Sequence, residues 1–224
     1  MASPDRIQSR INNRWPVAKD GLPFILTGSA LTFIFLYACL LIFAWVMGLL
    51  TLFTIYFFRD PGRENGSHGK AVLTPADGKI LGIQDLKNSE NLLGEPAKKI
   101  SIFMSIFDVH VNRIPVSGKI LDTLYHPGRF LSANLDKASE ENESNRITLE
   151  TDDGQRIIIV QIAGLIARRI ACWIKEGDEV KAGQRFGLIR FGSRLDVYLP
   201  ADSQVIVQPR HKVKAGITIL GYLS

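Results

Sequence analysis

Arg156-Ile157-Ile158-Ile159-Val160-Gln161-Ile162 decides the fold class. Isoleucine and valine lie on both alternating faces, which is the pattern of a strand at the centre of a sheet, covered on each side. Outward from it, short β-branched and apolar runs recur at Lys79 to Ile83, Lys99 to Ile106, Lys119 to Leu124 and Arg146 to Thr151. They continue at Ile166 to Ile174, Arg185 to Phe191, Leu195 to Leu199 and Gln204 to Val207, with Gly, Pro, Asp and Asn between them. That punctuation is hairpin chemistry. From Lys70 onward the chain therefore reads as mainly β, a barrel or sandwich. Arg129 to Asn142 is the one polar stretch long enough for a helical turn or a loop. Pro75-Ala76-Asp77-Gly78-Lys79-Ile80, Pro115-Val116-Ser117-Gly118-Lys119-Ile120 and Pro200-Ala201-Asp202-Ser203-Gln204-Val205 echo one another at irregular spacing. This is a reused turn, similar to the hairpins of lipoyl- and biotinyl-type barrels, and not a solenoid.

The N-terminal part is of another kind. Gly21 to Phe58 contains no charged residue, far more than the roughly 20 needed for one membrane span. As one helix it would reach about 57 Å, nearly twice the hydrocarbon thickness, so two helices with a bend near Tyr37 to Trp45 fit better. Arg6, Arg10, Arg14 and Lys19 precede it and Arg59, Arg63 and Lys70 follow. Positive flanks on both sides place both ends, and the domain that follows, on the cytoplasmic face of the cell membrane. The expected organisation is a basic N-terminus over 1–20, a membrane hairpin over 21–58, a linker over 59–69 and a β-rich domain over 70–224.

The formal net charge of the 224 residues is +5. The basic residues are dispersed, with no single-strand platform and no zinc-finger spacing, so an anionic membrane is the partner and nucleic acid is not. Cys39 and Cys172 lie far apart and imply neither a disulfide framework nor a metal site.

Chemistry is expected at two places. In Arg190-Phe191-Gly192-Ser193-Arg194-Leu195-Asp196-Val197-Tyr198 a Gly-Ser pair lies at a strand junction. A serine there can attack the carbonyl of the preceding residue; the amide becomes an ester, and elimination breaks the chain and leaves a pyruvoyl group. In Phe107-Asp108-Val109-His110-Val111-Asn112-Arg113-Ile114-Pro115, strand alternation places Asp108, His110 and Asn112 on one face. That face is either a polar outer surface or a general base with polar neighbours. His126 lies in a turn; His68 and His211 read as solvated.

Thr74-Pro75-Ala76-Asp77-Gly78, the stretch from Phe107 to Pro115, Phe191-Gly192-Ser193 and Phe57-Phe58-Arg59-Asp60-Pro61 together resemble phosphatidylserine decarboxylase, in its short bacterial form, from about Lys19 to the C-terminus. The resemblance implies a proenzyme that cuts itself between Gly192 and Ser193 into a β chain, 1–192, and an α chain, 193–224, which stay together as a heterodimer. Ser193 would become the covalent pyruvoyl cofactor and form a Schiff base with the amine of phosphatidylserine, giving phosphatidylethanolamine and carbon dioxide with no dissociable cofactor and no metal. An aspartate in the position of Asp77 would orient a histidine, His110, that activates the serine. The family's Asp-x-His-x-x-His pattern is met by Asp108 and His110, but Arg113 replaces the second histidine, so His110 serves both steps or His126 stands in. Arg59, Arg63, Arg113 or Arg194 could hold phosphate or carboxylate. Two other readings use different residues. A lipoyl-type carrier would use Lys137, which lies in a polar stretch with no clear flanking strand. A serine hydrolase would need a Gly-x-Ser-x-Gly elbow, which Phe191-Gly192-Ser193-Arg194-Leu195 is not.

Overall fold

The computed structural model describes residues 4–63, 69–87, 91–132, 141–165, 169–190 and 192–224. His68, Lys137 and Phe191 lie outside these. The chain divides into two compact units, Asn12–Gly62 and a larger one made of the N-terminal residues to Ile11 with Arg63–Ser224.

In the smaller unit, α2 (Leu22–Tyr37) and α3 (Leu41–Phe57) form a helical pair, joined through Ala38 to Leu40 with Cys39 at φ 58°. Gly28 lets the helices close up: a Cβ there would lie 2.4 Å from Thr51 Oγ1. Most of the large apolar side chains of both helices are exposed, as on a surface made for hydrocarbon. Among the described residues, Lys19–Tyr37 is the one helix long and apolar enough to cross a membrane. The open end of the pair is fastened by polar groups. Val17 pairs with Arg59, Asp60 N–H donates to Pro16 O, and the buried Asn13 amide donates to Asp60 Oδ2 at 2.9 Å and to Val17 O.

The larger unit starts with α1 (Pro4–Ile11), whose Ile11 packs on the β core. Among the described residues fourteen strands follow: β1 (Ala71–Leu73), β2 (Gly78–Leu86), β3 (Ala97–Met104), β4 (Val111–Arg113), β5 (Gly118–His126), β6 (Ser144–Glu150) and β7 (Arg156–Ala163). The second seven are β8 (Ile170–Cys172), β9 (Glu179–Val180), β10 (Arg185–Ile189), β11 (Ser193–Pro200), β12 (Gln204–Val205), β13 (Lys212–Val213) and β14 (Ile219–Tyr222). The expected mainly β fold with an apolar N-terminal helix is what is found. Of the run at Ile166 to Ile174, residues 166–168 lie outside the described residues and the rest contributes the short β8.

The strand order of the main sheet, β13-β2-β3-β11-β7-β6-β5-β9, reads as a palindrome about the β11–β7 pair, and the small sheets β1-β14-β12 and β4-β10-β8 match one another. The unit is thus a two-fold repeat. One copy is contiguous, β4 to β10. The other is split, with β1 to β3 before the inserted copy and β11 to β14 after it. Matching bonds follow matching sequence. Leu73 N–H donates to Pro115 O and Arg113 N–H to Pro75 O, so the two proline turns clasp each other reciprocally. Val180-Lys181-Ala182-Gly183 recurs as Val213-Lys214-Ala215-Gly216, and each alanine N–H is accepted by the residue before the strand-opening glycine: Ser117 Oγ at 3.0 Å, Asp77 Oδ1 at 2.7 Å. Gly78 and Gly118 have no room for a side chain, since a Cβ would lie 2.1 Å from Phe103 O and from Glu150 O. The third echo, at Pro200, has no place in this symmetry.

The core lies inside the curled sheet. Ile100, Ile102, Ile147, Leu149, Ile157, Ile159, Leu195 and Val197 are all fully buried there. At about 25 cal/mol per Å2 of apolar area, each such side chain contributes roughly 1.5–3 kcal/mol, so the β unit has ample apolar burial.

Candidate active site

Ser193 opens β11, with its Cα opposite Met104 on β3 and Ala163 on β7. β10 belongs to a small sheet and β11 to the main one, and Gly192, just before β11, sits at φ 62°, the left-handed region in which a side chain would cost roughly 1–2 kcal/mol. Ser193 is 0 % exposed and its Oγ has no hydrogen-bond partner among the described residues. A buried hydroxyl left without a partner is a cost to the fold.

The strand directions gather the other candidates at this end of the sheet. β3 and β7 finish beside Ser193, β2 begins next to the end of β3, and β6 begins where β5 and β7 end. Asp77, Asp108, His110 and His126 all leave the sheet at that end, as do the described residues 105–110, 127–132, 141–143 and 164–165. Asn142 pins the middle loop, accepting from Leu131 N–H and donating to Ala163 O at 2.7 Å.

His110 is 0 % exposed. Its Nδ1 lies 2.9 Å from Asp108 O, a carbonyl that can only accept, so Nδ1 carries the proton and Nε2 is the basic nitrogen of the neutral ring. Its own carbonyl receives Ile189 N–H at 3.4 Å, four residues before Ser193. The expected alternation fails here for a physical reason: β4 begins only at Val111. Asp108 instead closes the turn before it, its Oδ2 accepting from Ser105 N–H at 2.8 Å and Ser105 Oγ–H at 2.7 Å.

Asp77 has a cationic partner and a backbone partner. Its carboxylate takes both arms of the Arg63 guanidinium, at 2.5 and 2.8 Å, along with the Ala215 N–H, while Arg63 also donates to Ala215 O at 2.6 Å. These bonds do not include His110. Arg113, 4 % exposed, donates to Gly183 O at 3.0 Å. Arg194 donates to Asp196 Oδ1 at 2.6 Å and to Ser101 Oγ, on the face of β11 opposite the core, and Lys99 lies 3.4 Å from the other oxygen of Asp196. Arg63 and Arg194 are therefore already committed to carboxylates. Arg59 lies over the Tyr56 ring, 4.0 Å from its centroid. His126 is exposed at the end of β5.

A file of buried amides joins β6, β7 and β4. Asn145 Nδ2 donates to Gln161 Oε1 at 3.1 Å, and Gln161 Nε2 to Asn112 Oδ1 at 2.8 Å. Gly187 opposite has no side chain to crowd the file: a Cβ would be 2.9 Å from Gln161 Nε2. The signal for it was one polar residue inside Ile157–Ile162. Cys172 borders the file; burial pushes its thiol up, against opposing hydrogen bonds to Ile174 O and the Asn145 side chain.

Comparison with known proteins gives one answer. The profile of the family described as phosphatidylserine decarboxylase matches residues 50–221. The phosphatidylserine decarboxylase proenzyme of Syntrophus aciditrophicus (strain SB) is 50% identical over 208 residues, covering 92% of this chain and 96% of that one. Those of Desulfotalea psychrophila and Geobacter metallireducens are each 47% identical, over 93% and 95% of this chain and 97% and 99% of theirs.

Proposed function

Because the chain belongs to the phosphatidylserine decarboxylase family, and is thus an enzyme that decarboxylates phosphatidylserine, we propose that it makes its own cofactor by cutting itself between Gly192 and Ser193. The observation that carries this is the buried Ser193 hydroxyl, without a hydrogen-bond partner among the described residues, directly after a left-handed glycine. Serine Oγ attacks the Gly192 carbonyl carbon, and its proton passes to His110 Nε2. The C–N bond breaks as the nitrogen is protonated, leaving an ester. Removal of the Ser193 α-proton expels the Gly192 carboxylate, and water replaces the nitrogen as ammonia. Asp108 holds His110 in the tautomer this requires, through its carbonyl. Asp77 acts as a positioning residue, fixing Arg63 and the Ala215 segment of the α chain beside the start of β2.

The residue at 193 fits the pyruvoyl group: it is buried, ends a chain after the cut, and has strands on both sides to hold it. That group supplies a carbonyl able to condense with the substrate amine and to take up the electron pair left by departing carbon dioxide. His110 returns the proton to carbon. The smaller unit anchors the enzyme in the membrane as a hairpin, with basic flanks and the β unit on the cytoplasmic side. Intact mass under denaturing conditions tests the reading. Two chains, the smaller starting at position 193 with a blocked, ketone-bearing terminus, are expected; one uncut chain without activity, or a cut elsewhere, sinks it.

A further inference from the structure

Two loops leave the sheet on either side of Ser193, one after β3 and one after β7. The first carries Phe107, 62% exposed; the second carries Leu165, 65% exposed, with Arg169 also exposed. A single exposed apolar side chain needs no explanation. Here the repeat provides its own control. The turn that leaves β6, matching the first loop, presents exposed Asp152 and Asp153, and the turn that leaves β11, matching the second, presents exposed Asp202. Equivalent places in the two copies are therefore apolar and basic at the reactive end, acidic at the other.

We propose that Phe107 and Leu165 seat the reactive end of the β unit on the bilayer, their side chains entering among the headgroups while Arg169 meets anionic phosphates. The proposal rests on the reading above, that the substrate is phosphatidylserine. Its acyl chains stay in hydrocarbon while its headgroup has to reach the buried position 193, so that end of the sheet must meet the interface closely. A tether raises the local concentration of the domain at the membrane but does not present one end of it. Aspartates at the far end disfavour the inverted approach to an anionic surface.

The experiment uses the full-length enzyme and the variant F107S/L165S, each assayed on long-chain phosphatidylserine in vesicles and on a short-chain, monomeric phosphatidylserine in solution. The variant is expected to cut itself completely, to lose about tenfold in rate on vesicles, and to stay within about twofold of wild type on the soluble substrate. Phe107→Trp, which keeps an interfacial aromatic, retains the vesicle rate. An unchanged vesicle rate overturns the proposal. So does an equal loss on both substrates, which would make the two side chains part of the site itself. Should the double variant stay uncut, F107S and L165S are read singly in the same way. Wild-type protein that is cut but inactive on both substrates would overturn the functional reading, and this inference with it.

Discussion

The two copies of the repeat differ most instructively at one position. Ser117 in the inserted copy and Asp77 in the split copy each stand before a strand-opening glycine and each accept an alanine N–H from the matching Lys-Ala-Gly turn. For that structural task one oxygen suffices. The second oxygen of Asp77 has no counterpart, and it is the one that completes the paired contact with Arg63. What the split copy adds beyond the shared architecture is what the proposed function uses: Asp77, His110 and the Gly192–Ser193 bond.

Changes at matched positions test this contrast. The largest effect is expected from Ser193→Ala, which leaves a single chain of 24.9 kDa with no activity. It should fold as the uncut wild-type chain does, because the lost hydroxyl has no hydrogen-bond partner among the described residues; two chains on a denaturing gel would show the bond to be misassigned. Asp77→Ser gives the split copy the residue of the inserted one. It keeps an acceptor for Ala215 but releases Arg63, and self-cleavage followed by gel densitometry should slow by at least about 100-fold. Normal cleavage in this variant would remove Asp77 from the functional set. Gly118→Ala, in the inserted copy, drives a Cβ to 2.1 Å from Glu150 O and should cost about 2–4 kcal/mol in denaturant unfolding of the uncut Ser193→Ala chain. Ser117→Ala should cost only about 1 kcal/mol and leave cleavage intact, the mirror image of Asp77→Ser. Smallest is Cys172→Val. Val205 is the matching residue, paired with Gly221 as Cys172 is with Gly187, and the exchange should cost less than about 1 kcal/mol. In the native protein burial pushes the Cys172 thiol up, so its alkylation near neutral pH should be slower than that of free cysteine.

The strands were legible because β-branched runs and Gly-Pro punctuation act locally, and the apolar helices because their length has few other uses. The echo of Pro75–Ile80 in Pro115–Ile120 held the repeat. Without the second echo, Val180–Gly183 in Val213–Gly216, it read as a reused turn, and the Pro200 segment blurred it further. At the site, Gly192, Ser193 and His110 stand out in sequence because their chemistry depends on residue type and immediate neighbours. The Arg63–Asp77 pair does not, since a guanidinium's partner is chosen by the fold. Asp108 was placed on a strand face because alternation was extended past the turn that Asp108 itself closes. Gln161 is the subtler case: one amide among isoleucines is tolerable only if others satisfy it, and Asn145 and Asn112 come from separate strands.

The insertion of one copy into the other has a consequence for how the enzyme ages. A cut at 192–193 leaves the inserted copy whole and divides the split copy into two peptides, β1–β3 on one and β11–β14 on the other. The shorter peptide contributes β11, which sits in the middle of the main sheet between β3 and β7. The mature enzyme is then a complemented pair of fragments whose folding instructions were spent while they were still one chain. With the proposed cut made, unfolding would separate two chains in a first-order step whose reversal is bimolecular, so the lifetime of the active protein would be set by the rate at which β11 leaves the sheet. Folding precedes cutting, and the order does not run backwards.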